Sequence, residues 1–159
     1  MAAQTDDFAF DEVGFRFGRD DERTIDLNSY EVYGKASTPW NWQMTERLNL
    51  DLGIGIAGGT LKGEGETAAY GRVAPELTLS YSDFPVALVV SSGPAYYSRD
   101  TFGELDIGSR LQFTSSAGLD WQVWNDWALG YRYQHTANAG LKDSNPGMNL
   151  HTVSLGYTF

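Results

Sequence analysis

Leu48-Asn49-Leu50-Asp51-Leu52-Gly53-Ile54-Gly55-Ile56 sets five aliphatic side chains at alternate positions, with asparagine, aspartate and glycine between them. In a strand, residues i and i+2 share a face, whereas a helix would scatter these five around its circumference. Residues 45–57 are therefore read as a strand with one greasy face and one polar face.

The same period recurs on both sides of it. Upstream, residues 8–18 set Val13, Phe15 and Phe17 against Glu12 and Arg16, and residues 26–36 set Tyr30 and Val32 against Glu31. Downstream, residues 68–81, 86–97, 107–121, 127–137 and 148–159 complete a predicted set of eight strands. Between them, Ser37-Thr38-Pro39-Trp40-Asn41 is read as a short turn, because proline presets a corner and cannot donate to a ladder. Ser82-Asp83-Phe84-Pro85 and residues 122–126 are read the same way. Charged residues 19–23, glycine-rich residues 58–67 and polar residues 98–106 are read as longer loops, so that long loops alternate with short turns. Gly63-Glu64-Gly65-Glu66 does not open a helix and gives no phosphate-binding signal.

Composition narrows the class. The 159 residues suit one domain, predicted at 8–159 behind a flexible polar leader at 1–7 that lacks a secretory signal; an outer-membrane assignment then requires a processed chain. No run approaches the roughly 18 apolar residues of a membrane helix, which leaves a soluble fold or a membrane barrel. Without cysteine there is neither disulfide nor thiolate-metal chemistry, and a net charge of -10 with no basic face argues against a nucleic-acid partner.

Alternation alone does not tell which face is outside, so a lipocalin-like barrel stands against a membrane barrel. Three features favour the second. Charges of both signs, Glu12, Arg16, Glu31, Lys35, Arg47, Asp51, Arg72, Glu76, Arg110, Asp120 and Arg132, fall on the polar faces, where they would pair inside a lumen that eight strands just suffice to fill. Trp40, Trp42, Phe84, Trp121, Trp124 and Trp127 gather at the short turns, and Tyr70, Tyr96, Tyr97 and Tyr133 towards the other end, as two aromatic girdles. Val153-Ser154-Leu155-Gly156-Tyr157-Thr158-Phe159 resembles the C-terminal signature of bacterial outer-membrane proteins. The expected fold is an eight-stranded antiparallel transmembrane β-barrel of the bacterial outer membrane, with a filled polar interior and no open pore.

With the short turns periplasmic, His135, Ala137, Asn149 and His151 meet at the extracellular end, and their odd parity turns them to lipid. A lipid-facing histidine is a functional candidate, set against the plainer reading of an imidazole reaching the headgroups. His135-Thr136-Ala137-Asn138-Ala139-Gly140-Leu141-Lys142, followed by Asn145-Pro146-Gly147-Met148-Asn149, resembles the acyloxyacyl hydrolase family of outer-membrane lipid A 3-O-deacylases, the PagL-type enzymes. Their motif is a histidine, any residue, a serine, then Asn-Ala-Gly, with an acidic residue on the last strand.

The resemblance implies a serine esterase on the outer wall of the barrel, acting on lipopolysaccharide in the outer leaflet without metal or cofactor. His135 would be the general base, and Asn138, with the Gly140 backbone, would stabilise the oxyanion. Asn138 has a rival role as a turn former. Two positions depart from the motif: the nucleophile's place holds Ala137 and the acid's place holds Asn149, which retains a side-chain oxygen to orient an imidazole. Thr136 should point into the barrel, and Ser144 lies in a loop. The chain as written is thus expected to be inactive, through either an engineered or a natural loss of the serine. The alternative is a non-catalytic outer-membrane barrel that binds lipopolysaccharide or stiffens the membrane. Acidic loop residues Asp20, Asp21, Glu22, Asp100, Glu104 and Asp106 are read as solvated in preference to a weak calcium site. A homodimer would shield the polar wall around His135, although no residue specifies one.

Overall fold

The computed structural model describes residues 8–20, 26–141, 143 and 146–159. In chain order its strands are Ala9–Arg19 (β1), Asn28–Gln43 (β2), Leu48–Gly63 (β3), Glu66–Tyr81 (β4), Val86–Tyr97 (β5), Thr101–Phe102 (β6), Leu105–Asp106 (β7), Leu111–Trp124 (β8), Trp127–Ala137 (β9) and Met148–Thr158 (β10). All but β6 and β7 join into one closed antiparallel barrel, sealed where β10 pairs with β1 from Glu12↔Thr158 to Arg19↔His151. Closure leaves no unpaired edge, which is what lets a sheet stand in hydrocarbon. The proposed leader at 1–7 lies outside the described residues.

The greasy rungs face outwards. Val32 is 59 % exposed, Ile56 52 % and Val153 56 %, and Leu111 and Leu155 point the same way. An apolar band of this extent around a closed barrel belongs in lipid, so the barrel is of the transmembrane kind. Inside, Glu31 receives a bidentate Arg72 (2.7 and 2.8 Å), the Tyr70 hydroxyl (3.1 Å) and Arg16. Arg132 grips Asp120 through both carboxylate oxygens (2.6 and 2.8 Å), Lys35 meets Glu76 at 3.0 Å, and the Tyr33 hydroxyl donates to Glu12. A cavity of about 20 Å³ lined by Glu12, Arg16, Lys35, Arg72, Glu76 and Arg132 is about the room one water needs, so the lumen is filled.

The interior is not polar throughout. Beneath the loop end, Leu27, Leu61, Ala68, Tyr97, Phe102, Ile107, Met148 and Leu150 form an apolar core. The β6–β7 hairpin supplies Phe102 to it, so the segment read as a polar loop carries a buried anchor. Tyr70 and Tyr97 are buried and stacked, ring centroids 5.0 Å apart, instead of belonging to the upper girdle. That girdle consists of Tyr30, Tyr96, Tyr131 and Tyr133, while the tryptophan girdle at the short turns is exposed as expected. Arg47, Asp51 and Arg110 are exposed as well, because they lie near strand ends beyond the filled lumen; Arg47 pairs with Asp83 across two turns.

Two connections differ from the sequence reading. β2 runs straight through Pro39 to Gln43, with a register shift against β3 between Ser37 and Asn41. A bulge tolerates a residue without an N–H, and Thr38 Oγ1 spans the gap by donating to Leu52 O at 2.6 Å. The turn comes later, where Thr45 Oγ1 accepts the Leu48 N–H at 3.1 Å. Residues 58–63 belong to β3, and the presumed long loop is the two-residue turn Glu64 (φ 49°) and Gly65 (φ 77°), the handedness that suits twisted strands.

Gly59 of β3 serves close packing. A Cβ on Gly59 would stand 2.1 Å from Tyr30 O and 2.8 Å from Glu31 Cα, both backbone atoms that cannot swing aside. Gly59→Ala is expected to lower the unfolding free energy by about 1–3 kcal/mol, read from urea titration of the barrel in detergent micelles.

Candidate active site

β9 and β10 form the hairpin that carries the candidate residues, and their register sets Asn149 directly opposite His135. Both lie on the outer wall, His135 exposed and Asn149 half-buried. His135 Nδ1 is 2.6 Å from Asn149 Oδ1. A carbonyl oxygen only accepts, so Nδ1 is the donor, and the neutral ring in this arrangement carries its lone pair on Nε2, the tautomer a general base requires. The imidazole's room comes from Gly147 (φ 64°), where a Cβ would come within 3.0 Å of His135 Cε1. Sequence reasoning gave Gly147 no role; its place beside the ring depends on cross-strand register.

Ala137 follows two residues along β9 and is half-buried. Thr136 points inwards, 2 % exposed, and shares a 2.9 Å hydrogen bond with Thr114, so its hydroxyl is turned away from the histidine as expected. Asn138 is fully buried and its Oδ1 accepts the Gly140 N–H at 3.0 Å, a turn-forming use of the side chain. The Gly140 N–H is thereby engaged within the turn. His151 is not drawn to His135: its Nδ1 is 2.6 Å from the Tyr131 hydroxyl and its ring meets Tyr133 edge-on. Ser144, Asp21 and Glu22 lie outside the described residues. Among the described residues no three His, Asp or Glu side chains converge as metal ligands; Asp106 instead accepts the Gly108 N–H at 2.7 Å.

The turn after β9 is strained where it meets the site. Ala139 has φ 53° and Gly140 φ 79°, consecutive left-handed residues of which only the second is glycine. The left-handed region costs an L-residue roughly 1–2 kcal/mol, more than the roughly 0.5–1 kcal/mol that glycine loses in chain entropy. Ala139→Gly is accordingly expected to raise stability by up to about 1 kcal/mol, visible as a higher unfolding midpoint.

Two further polar side chains share this wall and were passed over in the sequence reading. Ser115 on β8 is the other cross-strand partner of His135, and Ser92 on β5 is opposite Ser115, their hydroxyls 2.8 Å apart. Both interrupt an apolar face, so the available signal was a break in parity: Ser115 falls between Phe113 and Ala117.

The family described as Lipid A 3-O-deacylase (PagL) matches residues 28–158. The chain belongs to this family. A Bordetella bronchiseptica protein named lipid A deacylase PagL is 37% identical over 67 residues, which make up 42% of this chain and 36% of that protein, so the match spans about a third of the relative's length. The crystal structure of the outer membrane enzyme PagL superposes with a TM-score of 0.79 at 20% identity, covering 93% of this chain and 99% of that one. The Yersinia pestis outer membrane protein Ail, in a phospholipid bilayer nanodisc, gives a TM-score of 0.56 at 15% identity over 94% of this chain and 99% of its own. The barrel is thus that of PagL and other outer-membrane proteins.

Proposed function

We propose that this barrel stands in the bacterial outer membrane with the His135 wall towards the outer leaflet, where it engages an acyl ester of lipid A. The scaffold is that of a Ser-His-acid ester hydrolase. The observation that carries this reading is the 2.6 Å contact of His135 Nδ1 with Asn149 Oδ1, which leaves Nε2 as a base on a lipid-facing surface. Apart from catalysis, a histidine and an asparagine gain little from such a place, since each loses hydration there.

A serine at position 137 would give its proton to Nε2 as Oγ attacks the ester carbonyl. The released alcohol would take that proton back, and water would resolve the acyl-enzyme through the same imidazole. Asn138 is the proposed oxyanion stabiliser. Ala137 closes this route, so the chain as written binds lipid A without cleaving it. That outcome coincides with the second reading, a non-catalytic lipopolysaccharide-binding barrel, which Ala137 itself favours. Restoring the serine separates the two. Ala137→Ser reconstituted with lipopolysaccharide should release fatty acid, and Ala137→Ser/His135→Ala should not; equal silence from both folded variants would leave only the binding barrel.

A further inference from the structure

The wall formed by β1, β2 and β3 stands away from His135, and its outward residues fall into rungs. At the loop end the rung is Arg19, Asn28 and Lys62. Towards the short turns follow Phe17, Tyr30 and Thr60, then Phe15, Val32 and Gly58, then Val13, Gly34 and Ile56. Cations therefore crown an apolar wall. Lys62 Nζ lies 5.4 Å from the centre of the Tyr30 ring and meets no carboxylate among the described residues. Arg19 gives Asp26 one N–H at 2.8 Å, and its side chain is more than half exposed. On a chain with a net charge of -10, this part of the rim has the opposite sign.

Below the cations the wall is hollowed. Gly34 and Gly58 put no side chain on the face, while Phe10, Val13, Val32 and Ile56 rise around them and bound a hollow of about 310 Å³. A Cβ on Gly58 would meet only Tyr70 O, at an ordinary 3.8 Å, so the barrel's own packing does not require a glycine there. A glycine inside a strand weakens it, and one with room for a side chain leaves that room to something outside. From Lys62 to Gly58 is about 13 Å of strand, against roughly 15 Å of hydrocarbon in one leaflet. Arg19 and Lys62 stand two strand spacings apart, about 9.6 Å at the backbone. Two long side chains close that gap on a group with several acceptor oxygens, and a phosphate is such a group. A phosphate head at the rim with a saturated chain running past Thr60 into the hollow matches both halves of the wall.

We propose that the β1–β2–β3 wall holds one phosphate-headed lipid of the leaflet at the loop end, its phosphate between Arg19 and Lys62 and one acyl chain in the hollow at Gly58 and Gly34. This lipid is bound and not cleaved, and it is separate from any ester at His135, since β2 stands three strands from β9 round the barrel. The test uses the full chain in neutral maltoside micelles with three probes: ditetradecanoyl phosphatidic acid, the matching diacylglycerol, and inorganic phosphate. Binding is followed by NMR shifts of the Lys62 and Ile56 amides. Phosphatidic acid should shift both and bind about tenfold more tightly than the diacylglycerol, the pull of two cations on a lipid phosphate. Arg19→Gln/Lys62→Gln should erase that difference. Gly58→Leu fills the hollow without strain and should abolish the Ile56 shift and weaken phosphatidic acid severalfold, whereas His135→Ala should bind it as the parent does. The amide spectrum of each variant reports that the barrel is folded. Equal binding of phosphatidic acid and diacylglycerol, or a preference that survives in Arg19→Gln/Lys62→Gln, overturns the site. So does inorganic phosphate producing the same shifts alone, an unchanged Gly58→Leu, or a lipid released by His135→Ala, which would put it on the other wall.

Discussion

Ala137→Ser is expected to raise fatty acid release from lipopolysaccharide by at least about a thousandfold over the parent chain, because on the proposed mechanism the parent lacks its nucleophile and retains only binding and oxyanion stabilisation. The surroundings are ready for it. Position 137 closes β9 half-buried on the wall that carries His135, and a hydroxyl adds one atom there. His135 already has its Nδ1 proton held by Asn149. What the amide does not supply is charge: when the imidazole takes a proton in the transition state, a carboxylate would stabilise it and Asn149 Oδ1 does so only as a dipole. Asn149→Glu on top of Ala137→Ser should therefore add roughly five- to thirtyfold, the difference between a charge-assisted and a neutral hydrogen bond. Asn149→Glu alone should release nothing. Mass spectrometry of the released acid, with His135→Ala in each background, reads all of these. A folded Ala137→Ser/Asn149→Glu barrel that leaves lipopolysaccharide intact would dispose of the hydrolase reading.

What could be read from the sequence followed from periodicity. Leu48 to Ile56, the aromatic residues at the turns and the alternation down to Phe159 identify a membrane barrel because a strand's face assignment needs only residue parity. The pairing of His135 with Asn149 was also within reach, since the two fall on opposite sides of a single hairpin. Contacts whose register is shifted by a bulge were not. Ser115 meets His135 only because the β8–β9 ladder slips by one residue between Gln122 and Trp124, which no local pattern encodes. Depth along the axis was equally hidden. Tyr70 and Tyr97 have the composition of a girdle and the parity of the lumen, and parity decides. Pro39 and Gly59 read locally as breakers, yet a bulge and a close strand approach absorb them within long strands.

Glu31→Gln should cost about 3–5 kcal/mol, the most damaging single change in the lumen, since it strips the one carboxylate shared by two buried arginines. Glu31 is 2 % exposed and ties β2 to Arg16 on β1 and to Arg72 on β4, with Tyr70 as a fourth member. Glutamine preserves the shape but leaves two guanidinium groups facing a neutral amide. Arg16 Nε is already buried without an acceptor among the described residues, and the cavity of about 20 Å³ is too small to hydrate both cations. Arg72→Met should be milder, because Glu31 then keeps Arg16 and one cation-anion pair survives. The ordering is the discriminating result: urea unfolding of each variant in lipid vesicles, followed by tryptophan fluorescence, should rank Glu31→Gln below Arg72→Met and both below the parent. A loss under about 1 kcal/mol for Glu31→Gln is what an exposed pair would give. It would mean that water reaches the lumen, and that ion pairing is not what holds the filled barrel rigid behind the His135 wall.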